Sequence, residues 1–260
     1  MRTMLLAFVA VAALGMSGCL QSQTLVKIKA DGSGTIELTR VMSKEMLEQM
    51  KQMEKEMNPG AAPKELFPKA EAEAMAPKLG DGVTFVSAEP VKNEFGEGLK
   101  AIYAFTDITK VQISETPDPK HADKAEPKYS FKFEKGETAK LTVIAPPKPA
   151  APAADPAAPK KEDPKPEELA MMKATLKGMR MSFVVEVEGK LVKTSSAHSE
   201  GNQVTYMDID FGALIEDEAQ LKKLNAINPE DKAAMMALFK DIKGMKVNMD
   251  PEITIEFTGK

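Results

Sequence analysis

Apolar and polar residues alternate along much of this chain, and the period changes from place to place. Thr24-Leu-Val-Lys-Ile-Lys-Ala and Thr35-Ile-Glu-Leu-Thr-Arg-Val both alternate with a period of two. Asp31-Gly32-Ser33-Gly34 lies between them, so the pattern predicts a β-hairpin. The period then lengthens. Ser43 caps a helix expected to run to about Met57, where Asn58-Pro59-Gly60 ends it. A second helix is predicted over Lys64–Leu79, kinked near Pro68 and stopped by Gly80. Strands follow at Val83–Val91 and Leu99–Phe105, with Asn93–Gly98 as the turn. Tyr129–Phe133 and Lys140–Ile144 form a further hairpin around Gly136.

From Pro146 to Pro166 the pattern stops. Eight of these 21 residues are proline, and most others are Ala, Lys, Asp or Glu. Such a segment cannot bury a core and is expected to be disordered. Beyond it, Glu167–Leu176 reads as a helix. Arg180–Val187 and Lys190–Ser195 alternate around Glu188-Gly189 as a hairpin, and Gln203–Asp210 continues the sheet. Glu218–Leu224 and Glu230–Lys240 are expected to be helical, and Glu252–Phe257 is a final strand. The fold class read from these elements is α+β: a mostly antiparallel sheet with helices packed on one face. Residues 24–145 and 167–258 are read as one domain, interrupted by the Pro/Ala-rich segment at 146–166. The alternative is two domains, since each half carries an Asp-Ile element after a strand pair, Asp107-Ile108 and Asp208-Ile209.

The N-terminus has a different character. Met1 and Arg2 precede an apolar run from Met4 to Leu14, and Met16-Ser17-Gly18-Cys19 follows. The run is too short to span a bilayer and has the layout of a secretory signal. Cys19 is the only cysteine, and a lone thiol is unusual in an exported protein. The four residues resemble the lipobox of bacterial lipoproteins. That resemblance implies cleavage of residues 1–18 and acylation of Cys19, palmitate among the chains. It implies a cell-envelope location with the membrane as partner. Leu20 follows the cysteine in place of the Asp that retains enterobacterial lipoproteins in the inner membrane, so the outer membrane, facing the periplasm or the outside, is favoured in a two-membrane cell. Leu20 to Gln23 are read as a short tether at 19–23 that keeps the domain close to the headgroups.

Charge and composition narrow the chemistry. Without residues 1–18 the chain has about 240 residues, with 34 Lys+Arg against 39 Asp+Glu. No basic cluster with interleaved aromatics occurs, which argues against a nucleic-acid partner. With Cys19 acylated, no thiol remains for a disulfide, a nucleophile or a thiolate metal site. The two histidines, His121 and His198, have no zinc-like spacing, and no metal or other cofactor is expected.

Three groups of residues remain as candidates. Met42, Met46, Met50, Met53 and Met57 fall three or four apart on one helix face. The stripe reads first as core. Met46, Met50, Met53 and Met57 are also the candidate ligand-binding residues, either as an adaptable apolar groove or as soft ligands for Cu(I). Asp208 and Asp210 point to one side of a strand and could serve a carboxylate-dependent hydrolase or bind a cation, though a solvated strand face explains them as well. Thr194-Ser-Ser-Ala-His198-Ser-Glu200 puts hydroxyls beside a histidine, but adjacency in a polar turn does not make a catalytic constellation. Asp31-Gly-Ser-Gly lacks the Gly and Glu of a calcium loop further on, at Ile36 and Met42. No residue is assigned as catalytic.

Met181-Ser-Phe-Val-Val-Glu-Val-Glu-Gly189-Lys-Leu-Val-Lys-Thr and Gly201-Asn-Gln-Val-Thr-Tyr206 resemble a hairpin found in LppM-type lipoproteins. That family has Pro before the glycine and Trp near the end of the second strand, where this chain has Glu188 and Tyr206. The resemblance implies an α+β domain and brings no catalytic residue with it. The expected function is a non-catalytic binding or scaffolding role at the envelope, with an envelope protein or lipid as partner. A lipid or apolar-ligand carrier, with a pocket between the Met-rich helix and the sheet, is the alternative.

Overall fold

A computed structural model of the chain describes residues 20–57, 67–114, 128–146, 165–227, 232–240, 242, 245–248 and 250–259. Cys19, the apolar segment before it and most of the Pro/Ala-rich segment lie outside the described residues.

The fold is α+β. The strands are β1 (Leu20–Ile28), β2 (Gly34–Ser43), β3 (Thr84–Lys92), β4 (Gly96–Phe105), β5 (Ile113–Ser114), β6 (Lys128–Glu134), β7 (Ala139–Ile144), β8 (Arg180–Val187), β9 (Gly189–Thr194), β10 (Ser199–Glu200), β11 (Gln203–Asp210), β12 (Lys246–Val247) and β13 (Glu252–Gly259). The helices are α1 (Lys44–Met57), α2 (Lys69–Met75), α3 (Pro166–Leu176), α4 (Phe211–Glu216), α5 (Glu218–Ala226) and α6 (Lys232–Lys240). The strands form two sheets. The larger has the order β10-β11-β8-β1-β2-β4-β3, with β12 also on β11, and the smaller runs β5-β6-β7-β13-β9. Among the described residues every strand pairing is antiparallel except β1 with β8.

Alternation decides which face of each strand is buried. Val26 and Ile28 on β1, Ile36 and Leu38 on β2, Tyr103 and Phe105 on β4, and Phe183, Val185 and Val187 on β8 belong to one core. Tyr129, Phe131, Leu141, Val143, Ile253, Ile255 and Phe257 of the smaller sheet belong to it too. The Tyr129 ring meets Phe183 edge-on at 4.9 Å and Tyr206 at 5.0 Å, linking the sheets. Helices close the open sides. Ala72 and Met75 of α2 join the core, and the Tyr103 hydroxyl donates to the Ala72 carbonyl at 2.9 Å. Phe211 of α4 packs on Phe239 of α6 with ring centroids 5.6 Å apart. Strands from both sides of the Pro/Ala-rich segment share each sheet: β8 lies against β1, and β13 against β7.

Three local expectations differ from the structure. Leu20–Gln23 is not a tether; it is the first part of β1, paired to β2 from Leu20↔Met42 and to β8 from Gln21↔Arg180. Neighbours on both sides take up the backbone of Gln21-Ser22-Gln23, so pairing extends past the point where apolar alternation stops. Secondly, β8 and β9 are not a hairpin. β8 pairs with β1 and β11, while β9 pairs with β13 in the other sheet. The chain turns the corner at Glu188-Gly189, where the Glu188 N–H donates to the Ile28 carbonyl at 2.7 Å. A Cβ on Gly189 would collide with the Thr258 carbonyl oxygen. Thirdly, α4 follows β11 directly and was not read from the sequence. It is six residues long, too short for a periodic pattern.

Candidate functional site

The start of β1 organises one end of the larger sheet. Gln21 donates from Nε2 to the Gly178 carbonyl at 2.9 Å, and its Oε1 accepts from Asn93 Nδ2 at 3.4 Å. Asn93 Oδ1 in turn accepts from the Phe95 and Gly96 N–H groups, both at 3.0 Å. The Phe95 carbonyl takes the Lys44 N–H at 3.1 Å, and the Ser43 hydroxyl accepts from the Met46 N–H at 3.2 Å as the N-cap of α1. The Phe95 ring fills the place a side chain at Gly178 would need, and Gly178 has φ +74°. The β3–β4 turn, the start of β1, the link into β8 and the first turn of α1 therefore meet here.

α1 rests on the opposite sheet face from the main core. Val41 and Ser43 of β2 and Gly96 and Gly98 of β4 are out of phase with Ile36 and Tyr103, and all four are buried. Met46 and Leu47 are the buried residues of the helix. Met50 is half-buried, whereas Met53 is 60% and Met57 70% exposed. This corrects the reading of the methionine stripe as core. Met46 meets that expectation, but α1 runs for 14 residues and only its first turn is sealed against β2 and β4. Spacing on a helix says which residues share a face; it does not say how far the neighbouring sheet extends.

The candidate carboxylates are engaged elsewhere. Arg180 grips Asp208 with two hydrogen bonds, Nε to Oδ1 at 2.9 Å and a terminal nitrogen to Oδ2 at 2.8 Å. The bond to Asp208 raises the Arg180 pKa despite partial burial of the guanidinium. Asp210 caps α4, its Oδ1 accepting from the Gly212 N–H at 2.8 Å. In the hydroxyl-rich loop, Ser196 Oγ accepts from the His198 backbone N–H at 3.0 Å and is 3.2 Å from Asn248 Oδ1. Asn248 Nδ2 serves the Thr205 and Tyr206 carbonyls at 2.7 and 2.9 Å, beside the irregularity that separates Thr205 from Met207 in the β8–β11 register. Asp31 caps its own turn through Ser33, whose N–H and hydroxyl it accepts at 2.9 and 2.7 Å. Among the described residues no group of three or more His, Cys, Asp or Glu side chains is placed to hold a metal ion.

Sequence reasoning missed the charge row across the outer face of the larger sheet. Glu37 on β2 lies between Lys27 on β1 at 2.6 Å and Lys100 on β4 at 3.3 Å. Partial burial alone would raise the Glu37 pKa; the hydrogen bonds and charges of the two lysines outweigh it and hold the carboxyl below its usual range. The signal was available only as alternating charge on neighbouring strands, and it needs the register to be read. Between the sheets, Thr24, Tyr129, Phe183 and Met207 border a gap of about 10 Å³, room for roughly one water. Lys78, Lys110 and Lys128 line an open depression, where Asp81 pairs with Lys110 at 3.6 Å.

These features describe a two-sheet α+β protein in which Asp208, Asp210 and Ser196 are committed to internal bonds while Met53 and Met57 are exposed. No protein-family model matches the chain, and no curated protein matches it. Among solved structures it is similar to the NMR structure of the folded domain of Mycobacterium tuberculosis LppM, at 8% identity and a TM-score of 0.36. That similarity covers 94% of this chain and 92% of the other. At this level it supports no transfer of fold or function.

Proposed function

We propose that the chain is a bacterial lipoprotein, acylated at Cys19 after removal of residues 1–18, with a non-catalytic binding or scaffolding role at the surface of the cell envelope. The observation that carries this reading is the junction at residues 16–20. Met16-Ser17-Gly18-Cys19 has the form of a lipobox, and β1 starts at Leu20, paired with β2 from Leu20 and with β8 from Gln21. An acylated Cys19 would have its Cα ~3.8 Å from that of Leu20, so the sheet would stand directly on the headgroups. Among the described residues no helix is long and apolar enough to cross a membrane. The engagement of Asp208 by Arg180 and of Asp210 as a helix cap favours binding over hydrolysis. The gap of about 10 Å³ between the sheets favours a surface partner over a ligand enclosed there. Leu20 after the cysteine, in place of a retaining Asp, favours the outer membrane in a two-membrane cell.

The test is metabolic labelling with a radioactive or clickable fatty acid in a bacterial host. The wild type takes up label, and Cys19→Ser does not and accumulates as precursor or released protein. Equal labelling of the two would overturn the proposal.

A further inference from the structure

We propose that the methionine face of α1, formed by the exposed Met53 and Met57 with the half-buried Met50 beside them, seats in the lipid surface beside the anchor. The inference rests on acylation at Cys19. The register of β1 with β2 sets Met42 opposite Leu20, and α1 begins two residues after Met42. Paired strands lie about 4.8 Å apart, so the helix starts at the same end of the sheet as the anchor. Its 14 residues extend about 21 Å. Met46 and Leu47 hold the first turn against β2 and β4, and Met53 and Met57 stay exposed beyond it. Large apolar side chains left in water next to an acyl chain find their natural occupant in the headgroup–acyl boundary.

The charge on α1 says what kind of contact this is. The helix carries three lysines and four glutamates, so anionic lipid offers it no net attraction. The covalent anchor supplies proximity instead: once Cys19 is inserted, docking of α1 is an intramolecular step, and a weak apolar contact is enough. Seating should therefore depend on the acyl chains and be indifferent to anionic lipid and to salt.

The acylated protein has no free thiol other than one introduced for the test. Met57→Cys is labelled with an environment-sensitive nitrobenzoxadiazole dye, and Lys29→Cys serves as the control. Lys29 is exposed in the β1–β2 turn, about 30 Å along the chain from Leu20 at the strand rise. Both acylated proteins are placed in vesicles of phosphatidylethanolamine with varied phosphatidylglycerol. The proposal expects flotation of both, with a blue-shifted emission quenched by nitroxide-labelled lipid at position 57 only. The shift should not change with phosphatidylglycerol content or salt, and it should be lost in Cys19→Ser. Flotation with position 57 in water would overturn the inference and leave the anchor standing. A blue shift without lipid, accompanied by a dimer in sedimentation, would overturn it in favour of a second copy. Failure of both labelled proteins to float would overturn the anchor and the inference with it.

Discussion

Met46 and Met57 belong to one helical stripe in sequence and to two environments in the folded chain. Met46 is 8% exposed under the first turn of α1, and Met57 is 70% exposed. Met46→Ala should therefore cost about 2–4 kcal/mol, as for a truncated core side chain. Met57→Ala should stay within about 0.5 kcal/mol in the unanchored protein. Chemical denaturation of the two variants checks this, and equal losses would contradict the assignment. Glu37 gives a second prediction at this scale. Its folded pKa lies below its ordinary value, so its contribution to stability is complete above the unfolded pKa and disappears as pH falls through the folded one. The wild type should lose stability on going from about pH 7 to about pH 3, and Glu37→Gln should lose less over that range, with a smaller stability at neutral pH. Other depressed carboxyls, Asp31 and Asp107 among them, leave the variant a residual slope. Identical slopes in urea melts of wild type and variant would refute the role given to Glu37.

Elements formed by local contacts could be read directly. β1–β2, β3–β4 and β6–β7 are hairpins in the structure as in the sequence, because the two strands and the turn between them are contiguous. The step from β8 to β9 looked the same and is a corner between sheets. The difference lies in what surrounds Gly189: the Ile28 carbonyl from one sheet and the Thr258 carbonyl from the other, both remote in sequence. Gly189→Ala should therefore destabilise by more than about 2 kcal/mol, since the new methyl meets backbone that cannot yield. Gly82 is a useful contrast, with φ +78° and nothing within 4 Å of a Cβ built on it. Gly82→Ala should cost only the left-handed backbone term, roughly 1–2 kcal/mol. Thermal melts that rank the two variants in the reverse order would show that the corner is not constrained as described.

At the scale of the molecule, each side of the Pro/Ala-rich segment contributes a block of strands to both sheets. β8 adds to β1 in parallel, and β13 inserts between β7 and β9. We propose that the halves fold as one unit. Limited proteolysis should cut first between Pro146 and Glu168, where proline-rich backbone is expected to be accessible. The two fragments should then co-elute on gel filtration and separate only in denaturant. Independent folded pieces after the nick would favour two domains.

The sequence by itself determined what depends on neighbours along the chain. Period-two alternation, turn residues and the Ser43 cap were enough for most strands, three hairpins and α1. The residues before Leu20 were enough to raise lipid attachment as an expectation. Only the tertiary structure decided which strands meet across long separations and what each exposed-looking side chain touches. Arg180 and Asp208 are 28 residues apart and gave no mutual signal, yet the guanidinium bonds both carboxylate oxygens. The extent of β1 back to Leu20 was hidden because backbone hydrogen bonds to two flanking strands, not side-chain alternation, hold Gln21-Ser22-Gln23 in the sheet. The methionine stripe was legible as a face, but where the sheet beneath it ends is a property of packing, and that ending leaves Met53 and Met57 in the open.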